Sequence, residues 1–197
     1  MKKKNKAIYL LFLMPFVYFA TACFVVWLVK TSGIYPSGSD TMYHVYRGDY
    51  VYNAIKSGNW YPLYDPAWYN GVEILRYWSP FPAYVMAFCQ YLAGGSQFGA
   101  YLFYIGGVCF LGACVWPFIG RGFNRPYLGA FIGLLWFFMP NNLCAIFIEG
   151  NLARSLSMIF LPVFIYSVYK YLYNHRLWYL HFYLWNCVIL DMLEWWL

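Results

Sequence analysis

Four runs of about 20 apolar, almost uncharged residues constrain this chain more than any other feature of its sequence. They fall at about residues 7–29, 98–119, 127–148 and 155–173. That length matches the hydrocarbon core of a bilayer, where every backbone N–H and C=O must be satisfied within the segment. Helices do this and open strands do not. The rest of the composition agrees. With 63% hydrophobic and only 10% charged residues among 197, too little polar surface is left to coat a soluble domain. The expected fold class is therefore all-α, a polytopic transmembrane helical protein forming a single membrane domain over 1–197. The stretch 177–197 is apolar enough for a fifth span, although it holds His181, Asp191 and Glu194.

Charge gives the orientation. Lys2, Lys3, Lys4 and Lys6 supply much of the net +6 and flank the first run. This fits the excess of basic residues on cytoplasmic loops better than it fits nucleic-acid binding. The first run continues past the small residues Ala20 and Ala22 into "VVWLV", as an uncleaved anchor does and a signal peptide does not. The segment 80–95, "PFPAYVMAFCQYLAGG", is short for a span. If it stays on one side, the lysine cluster, Arg121/Arg125 and Lys170/His175/Arg176 all share the cytoplasmic side. If it crosses, both later basic loops move outside. The first arrangement is expected: a multi-pass protein of the cell membrane with a cytoplasmic N-terminus. A large outer loop, 30–97, then carries interfacial helices at 41–57 and 80–95.

The six cysteines, Cys23, Cys89, Cys109, Cys114, Cys144 and Cys187, are scattered, with no CxxC and no Cys/His metal spacing. Walker, GxSxG, HExxH and Rossmann patterns are absent. Gly106, Gly107 and Gly112 read as helix-packing positions.

Three polar stretches remain. In "SDTMYHVYRGDY", a helix beginning at residue 41 would align Asp40, His44 and Arg47 on one face. Asp40 then either caps the helix or presents an acid beside a base at the membrane mouth. In "EGNLAR", Glu149 and Arg154 bracket a tight turn between two spans, as solvated loop charge or as a second acidic position. In "YPLYDPAWYNG", Asp65 precedes Pro66 as a turn signature. The aromatics around it, Trp68 among them, either stack on sugar faces or anchor the loop among lipid headgroups.

The order "GSDTMYHVYRG", "WYPLYDPAWYNG", "YWSPFPAYVMAF", two spans and "EGNLARSL" resembles the N-terminal part of bacterial membrane proteins of the 6-pyruvoyl-tetrahydropterin synthase-related kind. Those proteins in turn look like members of the GT-C superfamily of membrane glycosyltransferases. The resemblance covers about residues 5–173. It implies sugar transfer from a polyprenyl-phosphate donor at the outer face, with membrane lipid as surroundings and no nucleic-acid partner. Asp40 matches the acid of the first outer loop, a general base or metal ligand, and Glu149 matches the acid of the next. Arg47 and Arg154 become candidates for the donor phosphate, and His44 for assisting either role. Asp65 and Trp68 complete the substrate-binding set. A divalent cation, Mg²⁺ or Mn²⁺, between Asp40 and Glu149 is compatible with oxygen ligands. GT-C proteins usually run to several hundred residues, and the stretch after residue 176 departs from the pattern. The chain therefore reads as the N-terminal fragment of a longer module. Two alternatives stay open: a non-catalytic subunit that binds or transports a lipid carrier, and an inactive truncated product.

Overall fold

The computed structural model describes residues 2–36, 38–76 and 79–174, with side chains from Phe12 to Tyr173 in those stretches. The lysine cluster's side chains, His175, Arg176 and the apolar stretch 177–197 lie outside the described side chains. Among the described residues the regular structure is helical, apart from one isolated bridge: α1 (Lys2–Ser32), α2 (Thr41–Lys56), α3 (Phe81–Leu92), α4 (Gln97–Gly122), α5 (Pro126–Leu135), the single turn α6 (Pro140–Leu143) and α7 (Leu152–Asn174). Four segments are long and apolar enough to cross a bilayer: Phe12–Ser32, Gln97–Gly122, Pro126–Glu149 and Leu152–Tyr173. The all-α polytopic architecture is thus the observed one.

α1, α4, α5 and α7 form the bundle, and α2 and α3 pack together at one end of it. Small residues let α4 and α5 approach closely. A Cβ placed on Gly120 would lie 2.6 Å from the Gly129 Cα, so a larger residue there would force the backbones apart. Gly112 is a packing position as expected, set against Trp136, and Gly106 meets Val26. Gly107 is not, because a Cβ there would meet nothing within 4 Å. Tyr18 of α1 is fully buried and donates to the Ala130 carbonyl at 2.8 Å, so its hydroxyl is satisfied inside the bundle.

The third span is not one continuous helix. α5 runs into a 3₁₀ turn, Trp136–Phe138, and the backbone is extended at Met139. Pro140 then opens α6, which passes into a π-helical segment, Cys144–Glu149. Pro140 lacks the N–H that would bond the Trp136 carbonyl in an unbroken helix. The buried Asn142 replaces it, donating Nδ2 to the Trp136 oxygen at 2.9 Å. A cavity of about 20 Å³ sits beside the break, lined in part by Asn142, Ser155, Cys109 and Trp136. Irregular backbone at membrane depth is tolerated where protein buries it or a cavity adjoins it; here Trp136, Phe137 and Asn142 are buried beside the cavity, while Phe138, Pro140 and Asn141 are exposed.

Candidate functional site

The loops after α1 and before α7 meet at a pair of glycines. A Cβ on Gly38 would lie 2.5 Å from the Gly150 Cα, so the two backbones touch with no room for a side chain. Gly150 has φ +69, the left-handed conformation that ends the π segment and turns the chain into α7. Across this contact the Asp40 N–H donates to the Glu149 carbonyl at 3.1 Å, and the Ser39 hydroxyl donates to the same oxygen at 3.0 Å. Thr41 is fully buried beside them, and its hydroxyl has no hydrogen-bond partner among the described residues.

That junction bears on the path of α3. Residues 40 and 149 lie at the same end of the bundle, so an even number of crossings separates them. α4 and the broken third span supply two. α3, with 12 residues, is about 18 Å long and adds none. Lys170 donates to the Gly122 carbonyl at 2.9 Å, which brings the basic ends of α4 and α7 together at the opposite end. The five described acids, Asp40, Asp49, Asp65, Glu73 and Glu149, all belong to the loop end.

The two acids at the junction differ in state. Asp40 precedes α2 with helical backbone angles and makes no side-chain cap, which corrects the capping alternative. Its half-exposed carboxylate has no hydrogen bond or ion pair among the described residues. Glu149 is already paired. Arg154 Nη1 reaches its two oxygens at 2.8 and 2.6 Å, and Arg154 Nη2 donates to Asn141 Oδ1 at 2.6 Å. Asn151 Oδ1 takes the Arg154 backbone N–H at 2.9 Å, and the Cys144 thiol lies 3.4 Å from Glu149 Oε1. A divalent cation shared with Asp40 would have to draw Glu149 away from Arg154. Among the described residues no group of three His, Cys, Asp or Glu side chains gathers.

His44 and Arg47 do follow Asp40 along α2, but both are buried rather than wet, at 7% and 2% exposure. Burial, with help from the Arg47 charge, pushes the His44 pKa down to about 4, so the ring is neutral at pH 7. Arg47 donates Nη2 to the carbonyls of Ile74 at 3.2 Å and Ser79 at 3.3 Å, and its guanidinium stands 5.4 Å from the Tyr43 ring centre. Its visible work is tying the loop before α3 to α2. Asp49, next on that helix, accepts from buried Gln90 of α3 at 2.6 Å and fixes the α2–α3 packing.

Asp65 is buried at 3% exposure and serves the loop internally. It pairs with Val72 through two backbone bonds, accepts the Ala67 N–H at 2.9 Å and accepts the Tyr46 hydroxyl. This clasp sets Trp68 against α2, 4.5 Å from the Tyr46 ring and 5.3 Å from the Tyr43 ring. Tyr43 links the aromatic group to the junction. Its phenol pKa is raised by burial first, lowered by Arg47 and raised again by the nearby Asp40 charge.

The structure therefore brings together Asp40, Glu149 and Arg154, with Trp68 joined to them through Tyr43. It sets Arg47, His44 and Asp65 into the supporting interior. The sequence reading missed Asn141 and Asn142, whose signal was a Pro-Asn-Asn interruption inside an apolar run.

No curated protein and no solved structure matches this chain. The pattern of one family, the 6-pyruvoyl-tetrahydropterin synthase related domain, described as a membrane protein, matches residues 75–192. The match takes in Glu149 and Arg154, begins after Asp40, and continues beyond residue 176, where the sequence alone suggested a departure from the family. The chain belongs to the 6-pyruvoyl-tetrahydropterin synthase related family of membrane proteins.

Proposed function

We propose that this chain is a GT-C-like membrane glycosyltransferase, or the N-terminal part of one. In this reading it moves a sugar from a polyprenyl-phosphate donor at the outer membrane face, and the loop end is outside with the N-terminus in the cytoplasm. The observation that carries the reading is the junction itself. An unpaired carboxylate, Asp40, is hydrogen-bonded through its backbone to the residue that holds Arg154.

The chemistry asks for those two functions. As the acceptor oxygen bonds to the anomeric carbon, its proton needs a base, and Asp40 takes it. The bond from that carbon to the phosphate oxygen breaks, and the departing phosphate gains charge. Arg154, partly exposed and held by Glu149 and Asn141, presents its guanidinium to that charge. Glu149 then acts as the residue that orients Arg154. Trp68 offers a ring face for a sugar. The basic turn end, with Arg121, Arg125 and Lys170, supports the cytoplasmic assignment of the other side.

The test uses the full chain in proteoliposomes with a radiolabelled polyprenyl-phosphate hexose. Asp40→Asn is expected to lower transfer by about 10² or more while donor binding persists, because the base is lost and the fold is not. Transfer at the wild-type rate in Asp40→Asn removes the proposal. Donor binding with no transfer in either protein favours a lipid-carrier binding or transport protein instead.

A further inference from the structure

The clasp between Asp65 and Val72 ends in a tip whose backbone runs against residue preference. Tyr69 and Asn70 both have positive φ, at 47° and 66°, and Gly71 follows at 107°. Asparagine and glycine tolerate this conformation, and a tyrosine seldom adopts it. The clasp enforces it through its two backbone bonds and through a Gly71 N–H to Trp68 carbonyl bond of 2.8 Å. The Tyr69 ring gains little from the fold in return, since it is 84% exposed. Among the described residues its ring contact is with Trp68, at 5.6 Å and 70°. The two rings form an open corner, and Tyr46 and Tyr43 back the indole.

We propose that this Trp68–Tyr69 corner is the subsite for a carbohydrate acceptor, a pyranose ring whose hydroxyl is delivered to Asp40. The inference rests on the glycosyl-transfer reading and narrows it to a saccharide acceptor. A pyranose has an apolar C–H face and a rim of hydroxyls. The indole face takes the first, and the Tyr69 hydroxyl and the Asn70 amide, neighbours in the chain, offer partners for the second. Tyr43 lies three residues after Asp40 on α2, and its ring is tilted against Trp68 at 5.3 Å, so one side chain links the corner to the acid's end of the helix. Arg47, the cation on this face of α2, is buried against backbone carbonyls, so the corner offers it to no phosphate headgroup. Trp60 and Tyr61, also exposed, precede the clasp in the loop and suit a lipid interface better.

The experiment is glycan-array capture of the full chain in nanodiscs, with Tyr69→Gly, Trp68→Leu and Asp40→Asn alongside. Wild type is expected to capture at least one glycan. Tyr69→Gly should weaken that capture ten-fold or more with an unchanged or raised melting temperature, because glycine accepts the left-handed backbone. Trp68→Leu should weaken it as well, and Asp40→Asn should weaken it by less than either. The proposal is overturned by no captured glycan, by capture that Tyr69→Gly leaves intact, or by a Tyr69→Gly defect that appears only in binding to empty vesicles. Capture through the corner without transfer leaves the subsite standing and removes the transferase reading. Transfer with an acceptor KM that Tyr69→Gly does not change does the opposite.

Discussion

Replacing Gly150 with alanine tests the junction directly. The new Cβ would lie 2.2 Å from the Thr41 Oγ1, 2.6 Å from the Thr41 nitrogen and 3.1 Å from the Gly38 Cα. Two of these neighbours are backbone, so a rotamer change does not clear the space. The left-handed conformation at φ +69 adds about 1–2 kcal/mol for a residue with a side chain. Overpacking adds about 1–3 kcal/mol. The stiffer unfolded chain returns about 0.4–1 kcal/mol. The net destabilisation is about 3 kcal/mol, a drop of roughly 5–10 °C in thermal midpoint for a chain of this size. Gly33→Ala supplies the control. It has nearly the same φ, +68, and nothing within 4 Å of the new Cβ, so it carries the conformational cost without the clash. Fluorescence-detected thermal unfolding in detergent measures the midpoints. Hydrogen exchange of a peptide covering 38–44 follows the Asp40 N–H, which Glu149 protects. Gly150→Ala should open that amide and Gly33→Ala should not. Equal midpoints for the two variants, with unchanged exchange at 38–44, would refute the claim that the loops are held in backbone contact.

Two further outcomes follow from buried polar groups. The His44 pKa falls from 6.5 in the unfolded chain to about 4 when folded. As pH drops through 6.5, the unfolded chain therefore takes up a proton that the folded chain refuses. Stability should decline between about pH 6.5 and 4, by an amount on the order of 3 kcal/mol, and His44→Gln should flatten that part of the melting profile relative to wild type. At the broken span, Asn142→Ala leaves the buried Trp136 carbonyl with only the long Met139 N–H bond of 3.4 Å and should cost about 1 kcal/mol. The cost should shrink in a Pro140→Ala background, where residue 140 regains an N–H. Additive losses in that double-mutant cycle would show that Asn142 is not standing in for the proline.

The bundle was legible in the sequence because bilayer length and hydropathy act on whole segments. Each run from 98 onward became a span within a few residues. Charge suggested that α3 stays on one side, and the Asp40–Glu149 backbone bond is compatible with that path. The broken third span was not legible in this way. Hydropathy averages over about 19 residues, and Pro140, Asn141 and Asn142 are too few to lower such an average. What they change is hydrogen bonding, which composition does not register.

The residues on α2 show a different limit. Helical spacing correctly aligned Asp40, His44 and Arg47, but it carried no information on which side of the helix the rest of the loop would cover. That depended on the loop before α3, where the Ile74 and Ser79 carbonyls take up Arg47, while Asp40 sits at the N-terminal end of α2. A charged side chain buried here needs oxygen partners, and the carbonyls of Ile74 and Ser79 supply them to Arg47. Those carbonyls belong to an irregular segment, where backbone acceptors are not used up by a helix or sheet. The same irregularity that makes 57–79 unreadable by periodicity frees the groups that hold a guanidinium inside it. Scarce charge in a membrane chain is thus divided at this end of the bundle. Arg47 and Asp65 spend theirs on building the loop, Glu149 on holding Arg154, and the Asp40 carboxylate makes no hydrogen bond or ion pair among the described residues.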